Sequence, residues 1–83
     1  MIYDTFNFDN DLEKFYKKIG ENVKKARVSK NLTQLQLAQL LNYKSVATIS
    51  NAEIYYDKHH FSLAQLYKIS LVLDVHLNTL VEI

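Results

Sequence analysis

The stretch Thr33–Glu53, TQLQLAQLLNYKSVATISNAE, governs how the other residues are read. It divides into two short helical segments, Thr33 to Leu41 and about Ser45 to Glu53, separated by Asn42-Tyr43-Lys44. Thr33-x-x-Gln36 has the capping-box form, in which hydroxyl and amide side chains satisfy each other's backbone N–H groups. Leu37, Ala38, Leu40 and Leu41 supply an apolar face, with Ala38 small enough for a close helix crossing. After Gly, Asn best tolerates the left-handed conformation past a helix end, so Asn42 predicts the stop. Tyr43 is expected to turn its ring inward. Ser45 is the expected cap of the second segment, and Ile49 and Ala52 point to the core. Lys44 to Ala47, Ser50 and Asn51 then face outward, with Thr48 at the border.

Working outward, the chain predicts helix on both sides. In its 83 residues there is one Gly and no Pro, so little interrupts a helix, and an all-α fold is expected. A composition 48% hydrophobic and 23% charged suits one folded domain rather than a disordered tail. A first helix is expected from a cap at Asp9 or Asn10 to about Ser29, with Leu12, Phe15, Ile19, Val23 and Ala26 forming one buried stripe. Gly20 interrupts that stripe, which implies either close packing or a break. Residues 1–14 read as an N-terminal arm and the start of this helix, with Tyr3, Phe6 and Phe8 as anchors, and residues 15–83 as the domain. Residues 54–61 read as a loop. A fourth helix is expected from a Ser62 cap to about Asp74, with Leu63, Leu66, Ile69, Ser70 and Leu73 on one face. A short fifth follows over about Leu77 to Glu82.

Charge separates the functional classes. The net charge of +1 is unremarkable, but its distribution is not. All ten Lys and Arg lie beyond Glu13, against five acids, so residues 14–83 carry +5. From Asn31 to Ala52 there is no acid and one Lys. A surface cleared of carboxylates suits a partner rich in phosphate. Two helices joined by a short turn is also the pattern whose second helix lies in the major groove of DNA. Val46 and Ala47 suit thymine methyls, and Asn51 can pair with adenine through two hydrogen bonds. Gln34 stands beside free N–H groups at a helix start, a place to grip phosphate. Lys58, with Tyr55, Tyr56 and His59, is positioned for the sugar–phosphate backbone. Arg27 falls beside the buried stripe and needs a carboxylate. Glu53, the one acid between Asn31 and Tyr56, is the expected partner.

Other chemistries find no support. There is no Cys, which removes disulfides and thiolate ligands and suits a reducing cytoplasm. His59 and His60 are adjacent, a poor spacing for one metal, so no metal or cofactor is expected. No nucleophile–base pair or glycine-rich phosphate loop is present, and no catalytic residues are assigned. The N-terminus lacks a signal-peptide pattern, and no apolar run reaches membrane-spanning length.

Ile19-Gly20-x-x-Val23, Arg27, Thr33-Gln34-x-x-Leu37-Ala38, Ile49-Ser50 and Glu53 together resemble the Cro/C1 (XRE-type) helix-turn-helix family of phage repressors and bacterial regulators. Leu66-x-x-Ile69-x-x-x-Leu73-x-Val75 and Leu80 are similar to its last two helices. The resemblance covers about residues 15–83. It implies a five-helix, lambda-repressor-like domain that binds double-stranded DNA through its second and third helices, often as a two-fold homodimer on a palindromic operator. It implies that Gln34 touches DNA, that Val46, Ala47 and Asn51 read bases, and that Arg27 and Glu53 pair. Lys44, Ser45, Thr48, Ser50 and Lys58 complete the expected DNA-facing set. Three positions depart from the pattern. The turn is one residue longer between Ala38 and Ile49, Asn42 stands for the usual Gly, and Tyr55 stands for a common Gly.

The expected function is a cytoplasmic, sequence-specific transcriptional regulator acting as a repressor. An alternative is an antitoxin-like module that binds a partner protein and autoregulates its own operon.

Overall fold

The structure, a computed structural model, describes residues 6–83; Tyr3 and the rest of the segment 1–5 fall outside the described residues. Among the described residues there are five α-helices, α1 (Phe8–Ser29), α2 (Gln34–Leu40), α3 (Ala47–Glu53), α4 (Leu63–Leu73) and α5 (Leu77–Val81), with a 3-10 turn at Tyr56–Lys58. No strand occurs among the described residues, and the architecture is the expected five-helix, all-α one.

α1 starts earlier than the sequence suggests. Asn7, not Asp9 or Asn10, is its cap, and the Asn7 side chain accepts from the Asn10 N–H at 3.1 Å. Asp9 and Asp11 then occupy the first turn, where the helix dipole favours carboxylates. The helix is continuous through position 14 and through Gly20. At about 1.5 Å per residue its 22 residues span roughly 33 Å. Ile19, Val23 and Ala26 are buried, while Leu12, Phe6 and Phe8 lie exposed at the N-terminal end, so neither phenylalanine is the anchor expected of it. The apolar stripe therefore runs on past the core.

Gly20 is continuous helix because a neighbour presses on it. A Cβ at this position would lie 2.5 Å from the Glu53 carbonyl oxygen and 2.6 Å from that of Ala52. No side chain fits between α1 and the end of α3, so glycine is required there despite its cost of about 1 kcal/mol in a helix.

α1 packs on α3, α4 and α5. Leu37, Ile49, Ile69, Leu73, Leu80 and Val23 fill the centre, each almost wholly buried. Phe61, in the segment read as loop, is also core. It closes the lower edge between that loop and α4. Leu40 and Leu63, assigned to apolar faces from spacing alone, are exposed. The C-terminus is tied back by Asn22, whose side-chain amide donates to the Leu80 and Glu82 carbonyls at 3.2 and 2.6 Å. α4 ends on Asp74 in the left-handed conformation, and its Ser62–Gln65 capping box closes the other end with bonds of 2.8 and 3.1 Å.

Candidate nucleic-acid interface

The Thr33 capping box forms as read: the Thr33 hydroxyl accepts from the Gln36 N–H at 3.0 Å, and the Gln36 side chain accepts from the Thr33 N–H at 2.8 Å. This starts α2 one residue later than the expected Thr33. α2 ends at Leu40, and Asn42 takes φ 60°. The Asn42 and Tyr43 N–H groups donate to the Gln39 and Ala38 carbonyls, which satisfies the helix end. Tyr43 packs its ring against the core, and its hydroxyl is buried with no hydrogen-bond partner. Burial pushes this phenol above the usual tyrosine range; the Gln65 side chain acts the other way but falls short of a hydrogen bond to the hydroxyl.

Ser45 is not the helix cap. α3 begins at Ala47, and Val46, whose side chain can make no capping bond, is in the cap position. The Ser45 hydroxyl nonetheless accepts from the Ala47 N–H at 3.1 Å, one residue out of the expected register. The connection is therefore six residues, Leu41 to Val46, and the longer turn is absorbed before the helix starts.

The far end of α3 is held by charge. Arg27 Nε donates to Glu53 Oε2 at 2.8 Å and Nη2 donates to Oε1 at 3.1 Å, a two-pronged pair with both residues buried. Arg27 Nη1 also donates to the Leu32 carbonyl at 2.7 Å. Glu53 takes a third donor from α2: Gln34 Nε2 lies 2.9 Å from Oε1. Gln34 is thus half-buried rather than fully exposed, and one of its two amide N–H bonds is committed to Glu53. The carboxylate is neutralised and shielded, so it does not repel phosphate.

Lys44, Ser45, Val46, Ala47 and Thr48 are exposed together at the start of α3. Ser50 and Asn51 are half-buried one turn on. Five of the expected DNA-facing residues therefore share the α3 entry, with Thr48 exposed rather than at the border, while Ser50 and Asn51, expected to face outward, do so only in part. Gln34 lies off this group, across at Glu53. Lys58 is exposed in the segment after α3, not on the helix.

That segment is unusual. Tyr55, Asp57 and Lys58 have φ of 57°, 50° and 63°. Left-handed backbone costs a non-glycine residue about 1–2 kcal/mol, so something must hold it. The His60 ring stacks on Tyr16 of α1 with centroids 3.8 Å apart and planes at 17°. Tyr55 stacks on Tyr16 at 6.0 Å. His60 Nδ1 lies 3.1 Å from the Lys58 carbonyl. Neither the left-handed run nor the role of Tyr16 has a signal in the sequence.

No helix among the described residues is long and apolar enough to cross a membrane. Comparison with curated proteins and with solved structures finds no match. A helix-turn-helix family model matches residues 23–80, more than half of the chain, from the last turns of α1 to the next-to-last residue of α5. With the five-helix architecture, the match places the chain in the Cro/C1-type (XRE) helix-turn-helix family of DNA-binding transcription regulators.

Proposed function

We propose that the chain is a sequence-specific repressor that binds a palindromic operator as a dimer, with α3 in the major groove. The carrying observation is the exposed, acid-free entry of α3, Lys44 to Thr48, backed by a Glu53 carboxylate that Arg27 neutralises. Lys44 faces phosphate, Val46 and Ala47 meet thymine methyls, and Asn51 pairs with adenine. Ser45, Thr48 and Ser50 bond the backbone or base edges, and Gln34 offers its second N–H to a phosphate. Lys58 meets the backbone from the following loop. Residues 15–83 carry this activity.

Dimerisation is supported by a line of exposed Leu63, Tyr67 and Leu71, spaced four apart along α4, together with exposed Ile83. Apolar side chains in one row are what a self-complementary two-fold contact buries. In a cell the chain would work in the cytoplasm, without cofactor, metal or catalysis.

Binding-site selection from random duplexes, followed by titration of the selected fluorescent duplex at several salt concentrations, tests the proposal. A two-fold symmetric site and a steep fall of affinity with salt are expected. Affinity indifferent to both salt and sequence would overturn it. A second function, binding a partner protein as an antitoxin does, is favoured by the stacked, exposed Phe6 and Phe8. Co-purification with a stoichiometric neighbour from the same operon would support it.

A further inference from the structure

The loop after α3 holds three non-glycine residues in the left-handed region, two of them consecutive. Tyr and Lys have no side-chain hydrogen-bonding device that favours this backbone, unlike Asn or Asp. Strain of this kind persists only where the surroundings over-determine it, and it concentrates at sites of function.

Here the restraint is visible. Phe61, buried in the core, anchors one end of the loop, and buried Glu53 anchors the other. Between them His60 lies flat on Tyr16, and its Nδ1 reaches the carbonyl of Lys58 at 3.1 Å. In the Nδ1–H tautomer this is a hydrogen bond that fixes the Lys58 peptide. Tyr55 flanks the same stack, its ring 6.0 Å from that of Tyr16 and 6.5 Å from that of His60. Tyr16 lies on α1 and before residue 23, where the family match begins. The clamp thus draws one of its rings from outside the matched residues, while His60 and Tyr55 lie within them.

We infer that Tyr16 and His60 are positioning residues for the DNA-backbone contact of Lys58: their ring stack locks the left-handed loop and so fixes where the Lys58 side chain emerges beside α3. The inference rests on the proposed DNA-binding function. A lysine on a free loop would have to be ordered at the moment of binding, and that ordering subtracts from affinity. A pre-set loop avoids this loss.

The test combines the free protein with the complex. His60 is exposed, so His60→Ala leaves the fold intact, which a melting curve checks. In the free wild-type protein, NMR should show the intense intraresidue HN–Hα cross-peaks of positive φ at Tyr55, Asp57 and Lys58. In His60→Ala they should weaken to those of an averaged loop. On the selected duplex, Lys58→Ala should flatten the plot of log affinity against log salt by about 0.9, the contribution of one phosphate. His60→Ala should lower affinity at every salt concentration while Lys58 is present, and should add no further loss in the Lys58→Ala background. His60→Phe, which keeps a stacking ring, and Tyr16→Phe should retain most of the wild-type affinity.

Unchanged cross-peaks in His60→Ala, or an unchanged affinity while the wild type binds, would overturn the inference and leave the function standing. Strictly additive losses for His60→Ala and Lys58→Ala would also overturn it. A wild-type protein that binds no duplex would overturn the function itself, and this inference with it.

Discussion

Arg27 and Glu53 meet through two hydrogen bonds, Nε to Oε2 at 2.8 Å and Nη2 to Oε1 at 3.1 Å, with both side chains almost wholly removed from water. They join the last turn of α1 to the last turn of α3. Buried ion pairs are worth little net stability when compared with apolar replacements, but removing one partner strands the other. Glu53→Ala is therefore expected to destabilise the fold by about 3–5 kcal/mol. Replacing both residues together with Met and Leu should recover most of that loss. Urea denaturation of the single and double variants measures both numbers. A midpoint unmoved by Glu53→Ala would show that the guanidinium finds water or another acceptor.

Gly20→Ala separates helix propensity from packing. In an open helix the change is stabilising by about 1 kcal/mol. Here the new Cβ would meet backbone carbonyl atoms of Ala52 and Glu53 at 2.5–2.8 Å. Backbone cannot rotate away as a side chain can, so a net destabilisation of about 1–3 kcal/mol is expected, as for other overpacked sites. Thermal melting reads the sign directly, and a stabilised variant would mean that α3 slides at little cost.

Asn51→Ala tests base reading. The specific duplex should bind more weakly by about 1–3 kcal/mol, while non-specific duplex is barely affected. Equal loss on both would assign Asn51 to the backbone. Ala47→Glu is the electrostatic complement. It places a carboxylate on the exposed entry of α3, and affinity should fall on every sequence, with the fold unchanged.

Tyr43 makes stability depend on alkaline pH. Burial raises its phenol above the unfolded value of about 10, because the ionised form is the one that loses hydration. A raised acid contributes stability that is fully present below the unfolded value and is lost as pH rises through the folded one. Denaturant midpoints should therefore fall above about pH 10, and Tyr43→Phe should lessen that fall. Near neutral pH the same variant should be neutral or slightly stabilising, by up to about 1 kcal/mol, since the hydroxyl has no partner to lose.

The elements that local chemistry controls were legible in the residues. Thr33 with Gln36 announces one helix start through groups three residues apart and Ser62 announces another as a cap; both form, Ser62 with Gln65 as its partner in a second box. Asn42 announces a left-handed stop and takes φ 60°. The misplaced details each depend on distant contacts. Leu40 and Leu63 continue helical spacing but stand outside the arc that neighbouring helices cover. Phe61 looks like a loop aromatic, yet the loop passes over the core. Gln34 faces Glu53 nineteen residues away, which no spacing rule relates. In the candidate site, the grouping of Lys44 to Thr48 follows from periodicity. The left-handed run at Tyr55, Asp57 and Lys58 does not: Asp57 tolerates that backbone, but Tyr55 and Lys58 are not residues that ordinarily signal it.

One further consequence concerns how α3 is mounted. Its last two residues receive most of the restraints described: the glycine gap sets distance, Arg27 sets rotation, and Gln34 ties it to α2. Its first residue has no side-chain cap from Val46 and is held by one hydroxyl, the Ser45 Oγ that accepts from the Ala47 N–H. The helix is a cantilever, built into the wall at Glu53 and lightly held at Ala47, about 9 Å away at the ordinary helical rise. Small rotations at the wall become larger displacements at the tip. Substitutions at Gly20, Arg27 or Gln34 should thus change which base pairs are preferred, although none of the three lies at the tip.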